Sequence, residues 1–186
     1  MHRPLTPQRD WNVVVTVHEE GFKTARRSLR EAGAVSPTDY HDVLVMKVAD
    51  PRAFLDWFAE RVSQEPGLLN FISRVVPVAQ AFDFRDAAEF ESKARAAISE
   101  IAPQLAGKSF HVRIHRRGFR QQLSAHEEER RLGALLFEAL AAAGTPATVT
   151  FDEPDAIVAI ETVGGRAGVA VFSREDMQRC PFLRFD

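Results

Sequence analysis

The stretch KSFHVRIHRRGFR, Lys108 to Arg120, holds five Lys or Arg residues and two His with no acid, in a chain whose formal net charge is −2. Cations of one sign on one surface suit a polyanion, because each can meet a phosphate and displace a counterion. Imidazoles add hydrogen-bond donors, more strongly at low pH. Strand alternation would turn Phe110, Val112 and Ile114 to a core and bring His111, Arg113 and His115 out together on the opposite face. Arg116, Arg117 and Arg120 continue onto the strand end and loop, and Lys108 stands at the start. The competing reading is a solvated sheet face, with Glu127–Glu129 downstream neutralising the charge.

Other chemistry finds less support. His111, His115 and the nearby His126 raise a metal site. Two His four apart on a strand lie ~13 Å apart at ~3.3 Å per residue, too far to share an ion at ~2 Å per ligand. No metal and no cofactor is therefore expected. The sequence contains no G-x-S-x-G, no G-x-G-x-x-G after a strand and no Walker loop. VGGRAG, Val163 to Gly168, sits between two apolar runs and reads as a hairpin turn. Cys180 beside Pro181 has no base near it in sequence, so it reads as a bystander thiol.

These groups need elements to position them. WNVVVTVHE (Trp11 to Glu19) and HDVLVMKVA (His41 to Ala49) read as strands. Between them, Phe22, Ala25, Leu29 and Ala32 mark a helix stopped by Gly33. Asp50-Pro51 opens a second helix with Phe54, Leu55, Phe58 and Val62 inward. FISRVVPVAQAF, Phe71 to Phe82, is one extended run with Pro77 at an edge or bend. The second half reads as a helix over Asp86 to Gly107 interrupted at Pro103, the basic strand, a helix capped by Ser124 with Glu127, a short strand ATVTF, and a hairpin about Gly164-Gly165. Strands alternating with helices predict an α/β sandwich with helices on one sheet face.

Composition bounds the rest. Hydrophobic residues at 45% and charged residues at 27% match globular domains and argue against disorder. The longest apolar runs, such as ALLFEALAAAG, fall short of the ~20 residues of a membrane span. The N-terminal MHRPLTPQRDW lacks an apolar signal core, so a cytoplasmic location is expected. One cysteine excludes an intrachain disulfide and an all-cysteine zinc site.

Three segments, in order, carry a resemblance. FISRVVPVAQAF places Arg74 and Pro77 as R-x-x-P; KSFHVRIHRRG sets an aromatic before alternating apolar positions and consecutive basic residues; FDEPDAIVAIETVGGRAGVAVFSRE has Pro154-Asp155, then I-V-x-I-E at Ile157 to Glu161, then an apolar return strand. From about Leu68 to Asp186 the chain resembles the THUMP family of tRNA-binding proteins, and its first 67 residues share the layout of the ferredoxin-like module that commonly precedes that domain. The resemblance implies an α/β fold, with a ferredoxin-like sandwich over residues 1–84 and a THUMP domain with a mixed sheet and helices over 85–186. It also implies binding of tRNA near the acceptor stem and 3′ end. Most members carry a fused catalytic domain; this chain ends at Asp186 and is most similar to the stand-alone subgroup, whose eukaryotic members act as adaptors for cytidine acetylation. The expectation is a non-catalytic, tRNA-binding adaptor for a separate tRNA-modifying enzyme, with neither DNA nor a membrane as partner. Lys108, His111, Arg113, His115, Arg116, Arg117 and Arg120 would contact the RNA, joined by Arg74 and Arg166, while Asp155 would cap a turn or pair with a basic neighbour. Two other readings stay open: a small enzyme or ligand sensor using the ferredoxin-like module near His18, Glu19 and Glu20, and a scaffold whose basic strand pairs with Glu127–Glu129.

Overall fold

Five β-branched residues form β1, Val13–Val17, one of the two inner strands of the first of two sheets. The computed structural model describes residues 9–185; most of the N-terminal stretch read above for a targeting signal lies on residues 1–8, outside them. Two units form, the first reaching Ala79 and including Arg179–Arg184, the second spanning Gln80–Gln178 with Phe185.

In the first unit β1 leads to α1 (Phe22–Leu29), β2 (Ala34–Pro37), β3 (Val43–Lys47), α2 (Pro51–Gln64) and β4 (Ile72–Pro77). The strands pair antiparallel in the order β2-β3-β1-β4, the β-α-β-β-α-β arrangement of a ferredoxin-like module. The α2 cap is as read: the Asp50 carboxylate accepts from the Arg52 and Ala53 N–H groups, and Phe54, Leu55, Phe58 and Val62 are buried. Strand β2 was not anticipated; four residues ending in proline give little periodicity, and proline is tolerated there because the strand is at an edge. Gly33 is also reassigned. α1 ends at Leu29, and a Cβ on Gly33 would come 2.1 Å from the Lys47 carbonyl oxygen, so this glycine permits the approach of the chain to β3.

In the second unit the elements are β5 (Gln80–Asp83), α3 (Ala87–Ile101), β6 (Ser109–His115), α4 (Ala125–Ala142), β7 (Thr148–Val149), β8 (Ala156–Val163), β9 (Arg166–Ser173) and α5 (Arg174–Arg179). The expected single extended run from Phe71 to Phe82 is thus two strands, β4 in one sheet and β5 in the other, parted after Pro77. The sheet order is β5-β9-β8-β6-β7, with β6 parallel to β7 and β8 and the other pairs antiparallel. Phe90, Ala94 and Ile98 of α3 and Leu132, Leu136 and Leu140 of α4 pack with Phe110, Val112 and Ile114 of β6 in one core. The hairpin turn falls at Gly164, whose φ of +57° is the left-handed conformation that glycine enters without strain. Pro103 lies in a 3₁₀ turn, Ala102–Leu105, that closes α3. The α5 helix was missed, although Ser173 and Asp176 form a reciprocal cap, the Ser173 N–H donating to Asp176 Oδ2 and the Asp176 N–H to Ser173 Oγ, both at 3.1 Å.

Candidate nucleic-acid interface

Strand β6 does alternate as read, with Phe110, Val112 and Ile114 in the core, but its other face is far from uniformly wet. Its entry is fixed by two reciprocal hydrogen bonds: the Ser109 N–H donates to Asp155 Oδ2 and the Asp155 N–H donates to Ser109 Oγ, each at 2.9 Å. The Ser109 donors, followed by Arg174 (3.2 Å away) and Lys108, hold the Asp155 carboxyl below the usual carboxylate range. Asp155 is therefore a structural link at the root of β6. Lys108, just before it, is exposed.

His111 is buried. Its Nδ1 lies 3.0 Å from the Thr150 carbonyl oxygen, and a carbonyl only accepts, so Nδ1 carries the proton and Nε2 of the neutral ring is left as an acceptor. Burial, more than any neighbour, pushes the imidazole pKa down. Nε2 itself has no hydrogen-bond partner. Arg113 is half-buried, with Nη1 3.9 Å from Glu129 Oε2, and Glu129 Oε1 accepts the Ile114 N–H at 2.8 Å. His115 is exposed. Glu128 turns instead to Arg131, and burial raises its carboxyl pKa. Of the three consecutive acids, one serves α4, one the edge of β6, and only Glu127 is left exposed on the first turn.

The arginine pair splits. Arg116 is half-buried, its Nη1 donating to the Gly118 carbonyl at 2.6 Å. Arg117, expected on the open basic surface, points inward and is buried against Glu161, Nη1 to Oε2 2.8 Å. Its main chain is held too, its N–H donating to Thr162 Oγ1 at 3.0 Å and its carbonyl accepting the Gly164 N–H at 2.9 Å. Arg117 therefore pins the loop to the β8–β9 hairpin and does not face a ligand. Arg120 is exposed beyond a turn in which Gly118 and Phe119 take φ of +96° and +53°.

Two outlying cations are also committed to structure. Arg166 has its Nη1 3.1 Å from Asp83, linking β9 to β5, and Arg74, in the first unit, is buried with Nε donating to the Arg184 carbonyl at 2.6 Å. What the second unit gathers around β6 is Lys108, Arg113, His115, Arg116 and Arg120, with Arg130 exposed on the second turn of α4. Arg130 was missed because it lies in an EEERR run that reads as a mixed-charge helix start.

Beside this cluster is a groove of about 540 Å³ between β6, α4 and the segment after β7, whose lining includes His111, Val112, Gly133, Phe137, Val149 and Phe151. Phe137, Val149 and Phe151 are exposed there. The sequence held a signal for it: Gly133 and Phe137, four apart, lie one position off the Leu132–Leu136–Leu140 core stripe of α4. Among the described residues no group of three His, Cys, Asp or Glu side chains converges to hold a metal ion.

No family model and no curated protein matches the sequence. Solved structures do match in fold. The chain is similar to PH1313 from Pyrococcus horikoshii, with a TM-score of 0.60 and 14% identity over 87% of this chain and 54% of that one. It is similar to TrmN from Thermus thermophilus, with a TM-score of 0.52 and 20% identity over 86% and 44%. A 4-thiouridine synthetase in complex with RNA and ATP gives a TM-score of 0.56 and 14% identity over 88% and 41%. The chain spans about half or less of the length of each. Likeness at these identities speaks for the fold: α/β, a ferredoxin-like module followed by a THUMP-like unit with a mixed sheet.

Proposed function

We propose that this chain is a non-catalytic RNA-binding protein that holds tRNA near its acceptor stem and acts in the cytoplasm as an adaptor for a separate tRNA-modifying enzyme, such as a cytidine acetyltransferase. The observation that carries the reading is the cation cluster about β6, in which Lys108, His115 and Arg120 are exposed and Arg113 and Arg116 half-exposed around a loop pinned by Arg117. A rigid loop presents cations without the entropy cost of ordering them on binding, and structured RNA is met chiefly through its shape, phosphates and 2′-hydroxyls. The likeness to a synthetase seen with RNA supports a polynucleotide partner. That this neighbour is a 4-thiouridine synthetase supports a place in RNA modification.

Arg116→Glu with Arg120→Glu should weaken binding of total tRNA by about tenfold or more at physiological salt, in a mobility-shift titration. Each lost phosphate contact should also flatten the log–log salt dependence by about 0.7–0.9. Unchanged affinity in a variant that keeps its circular dichroism spectrum overturns the assignment. Co-purification of the tagged chain with tRNA but no modifying enzyme would overturn the adaptor role while leaving the binding role in place.

A further inference from the structure

We infer that the groove between β6, α4 and residues 149–151 is a binding site for a single nucleobase, with preference for bases that carry an exocyclic amine. The inference leans on the tRNA reading only for the source of the base, which an unpaired nucleotide of RNA or a free nucleotide could supply equally.

Four features define the ligand. The first is the open edge of β6. The Thr150 N–H donates to the Phe110 carbonyl, the last rung on that side, while the Ile114 N–H is already capped by Glu129. Strand alternation turns the Val112 N–H and C=O the same way, into the groove. The open edge is thus one residue long. That is too short for an added strand, which gains its affinity from a run of main-chain bonds, but it offers the paired donor and acceptor that one edge of a heterocycle needs.

The second is His111 Nε2, a buried acceptor with no partner on a side chain that lines the groove. A base that reaches Nε2 meets, with Val112, two acceptors and one donor. Cytosine, adenine and guanine bring an amine and a ring or carbonyl acceptor and can serve all three; uracil, with a single N–H, leaves one acceptor unmet. An unmet buried polar group is what makes such sites selective.

The third is the aromatic wall. The Phe151 ring lies 5.2 Å from the His111 ring yet is 71% exposed, and Phe137, which lines the same groove, is 47% exposed. Exposed rings over a polar floor are stacking platforms, and every base has a face to stack. Arg113 and Arg130 line the same groove and can take the attached phosphate.

The fourth is Gly133. Glycine is a poor residue for the middle of a helix, and no packing demand explains it, because a Cβ built there meets nothing within 4 Å. Its missing side chain is what keeps the α4 side of the groove open. The volume of about 540 Å³ falls within the roughly 300–1,000 Å³ of small-ligand sites.

The test compares ten-nucleotide oligo(A), oligo(C) and oligo(U), and AMP against UMP, by fluorescence anisotropy or calorimetry and by amide NMR. Oligo(A) and oligo(C) should bind about tenfold more tightly than oligo(U), with shifts at the Val112 and Phe151 amides. Phe151→Ala, which removes an exposed ring, and Gly133→Met, which fills the groove while raising helix propensity, should each cost roughly tenfold. Both substitutions fall where folding is little affected. Equal binding of the three oligomers, or unchanged binding by both variants, overturns the base site and leaves the groove for a protein segment; neither result touches tRNA binding through Arg116 and Arg120. AMP binding as tight as that of oligo(A) would confirm the base site with a free nucleotide as its source. The tRNA reading fails separately, if these effects persist while Arg116→Glu/Arg120→Glu leaves tRNA affinity unchanged.

Discussion

Arg117 Nη1 lies 2.8 Å from Glu161 Oε2, with both side chains buried and the carboxylate completely so. The pair ties the end of β6 to β8, its parallel neighbour, where His115 stands in register with Glu161. A buried ion pair adds little over an apolar pair of the same size, but removing one partner strands a charge. Glu161→Gln should therefore cost about 3–5 kcal/mol in urea unfolding. Arg117→Met with Glu161→Leu should recover most of that loss. An unfolding midpoint for Glu161→Gln equal to wild type would show that the pair does not hold the loop.

The root of β6 makes a prediction with a pH signature. Asp155 accepts from the Ser109 main chain, and its carboxyl is held low by that bond first and by Arg174 and Lys108 last. A folded pKa below the unfolded value near 3.9 contributes stability that is complete above about pH 4 and lost as pH falls through the folded value. Asp155→Ala should lower the urea midpoint at pH 7, and the gap from wild type should narrow steadily below pH 4. A gap that stays constant into acid would mean that the carboxylate charge plays no part.

Much of this arrangement was readable in advance, for identifiable reasons. The alternation of Phe110, Val112 and Ile114 needs only the two-residue period of a strand, and the Asp50 and Ser124 caps need only local spacing. Arg117 could not be read that way. Its partner lies 44 residues on, and nothing in HRRGFR separates the arginine that turns inward from its neighbours that do not. The burial of His111 is likewise non-local, since Thr150 and Phe151 close over it from 39 and 40 positions away. The groove combined two weak signals, an off-stripe glycine with a phenylalanine on α4 and an aromatic just past a two-residue strand, and neither carries meaning until the fold brings them together.

His111 supplies the last prediction. The Thr150 carbonyl and the Phe151 ring from the segment after β7 lie against it, and Arg113 of its own strand with His126, Glu129, Arg130 and Glu138 of α4 line the groove beside it. Burial lowers its pKa most; Arg113 lowers it further, while the Thr150 carbonyl and Glu129 oppose the shift. Because the folded pKa lies below the unfolded value near 6.5, the unfolded chain takes up this proton first. The stability contributed by neutral His111 is complete above about pH 6.5 and declines as pH falls through the window beneath it. His111→Phe keeps a ring against Phe151 but removes the titration, so its urea midpoint should fall less than that of wild type between pH 7 and pH 5. Protonation also turns Nε2 from acceptor to donor, so the preference of the groove for amine-bearing bases should fade over the same window. The preference should be weak at every pH in His111→Phe. A midpoint that falls equally in both proteins would place the acid-sensitive group elsewhere.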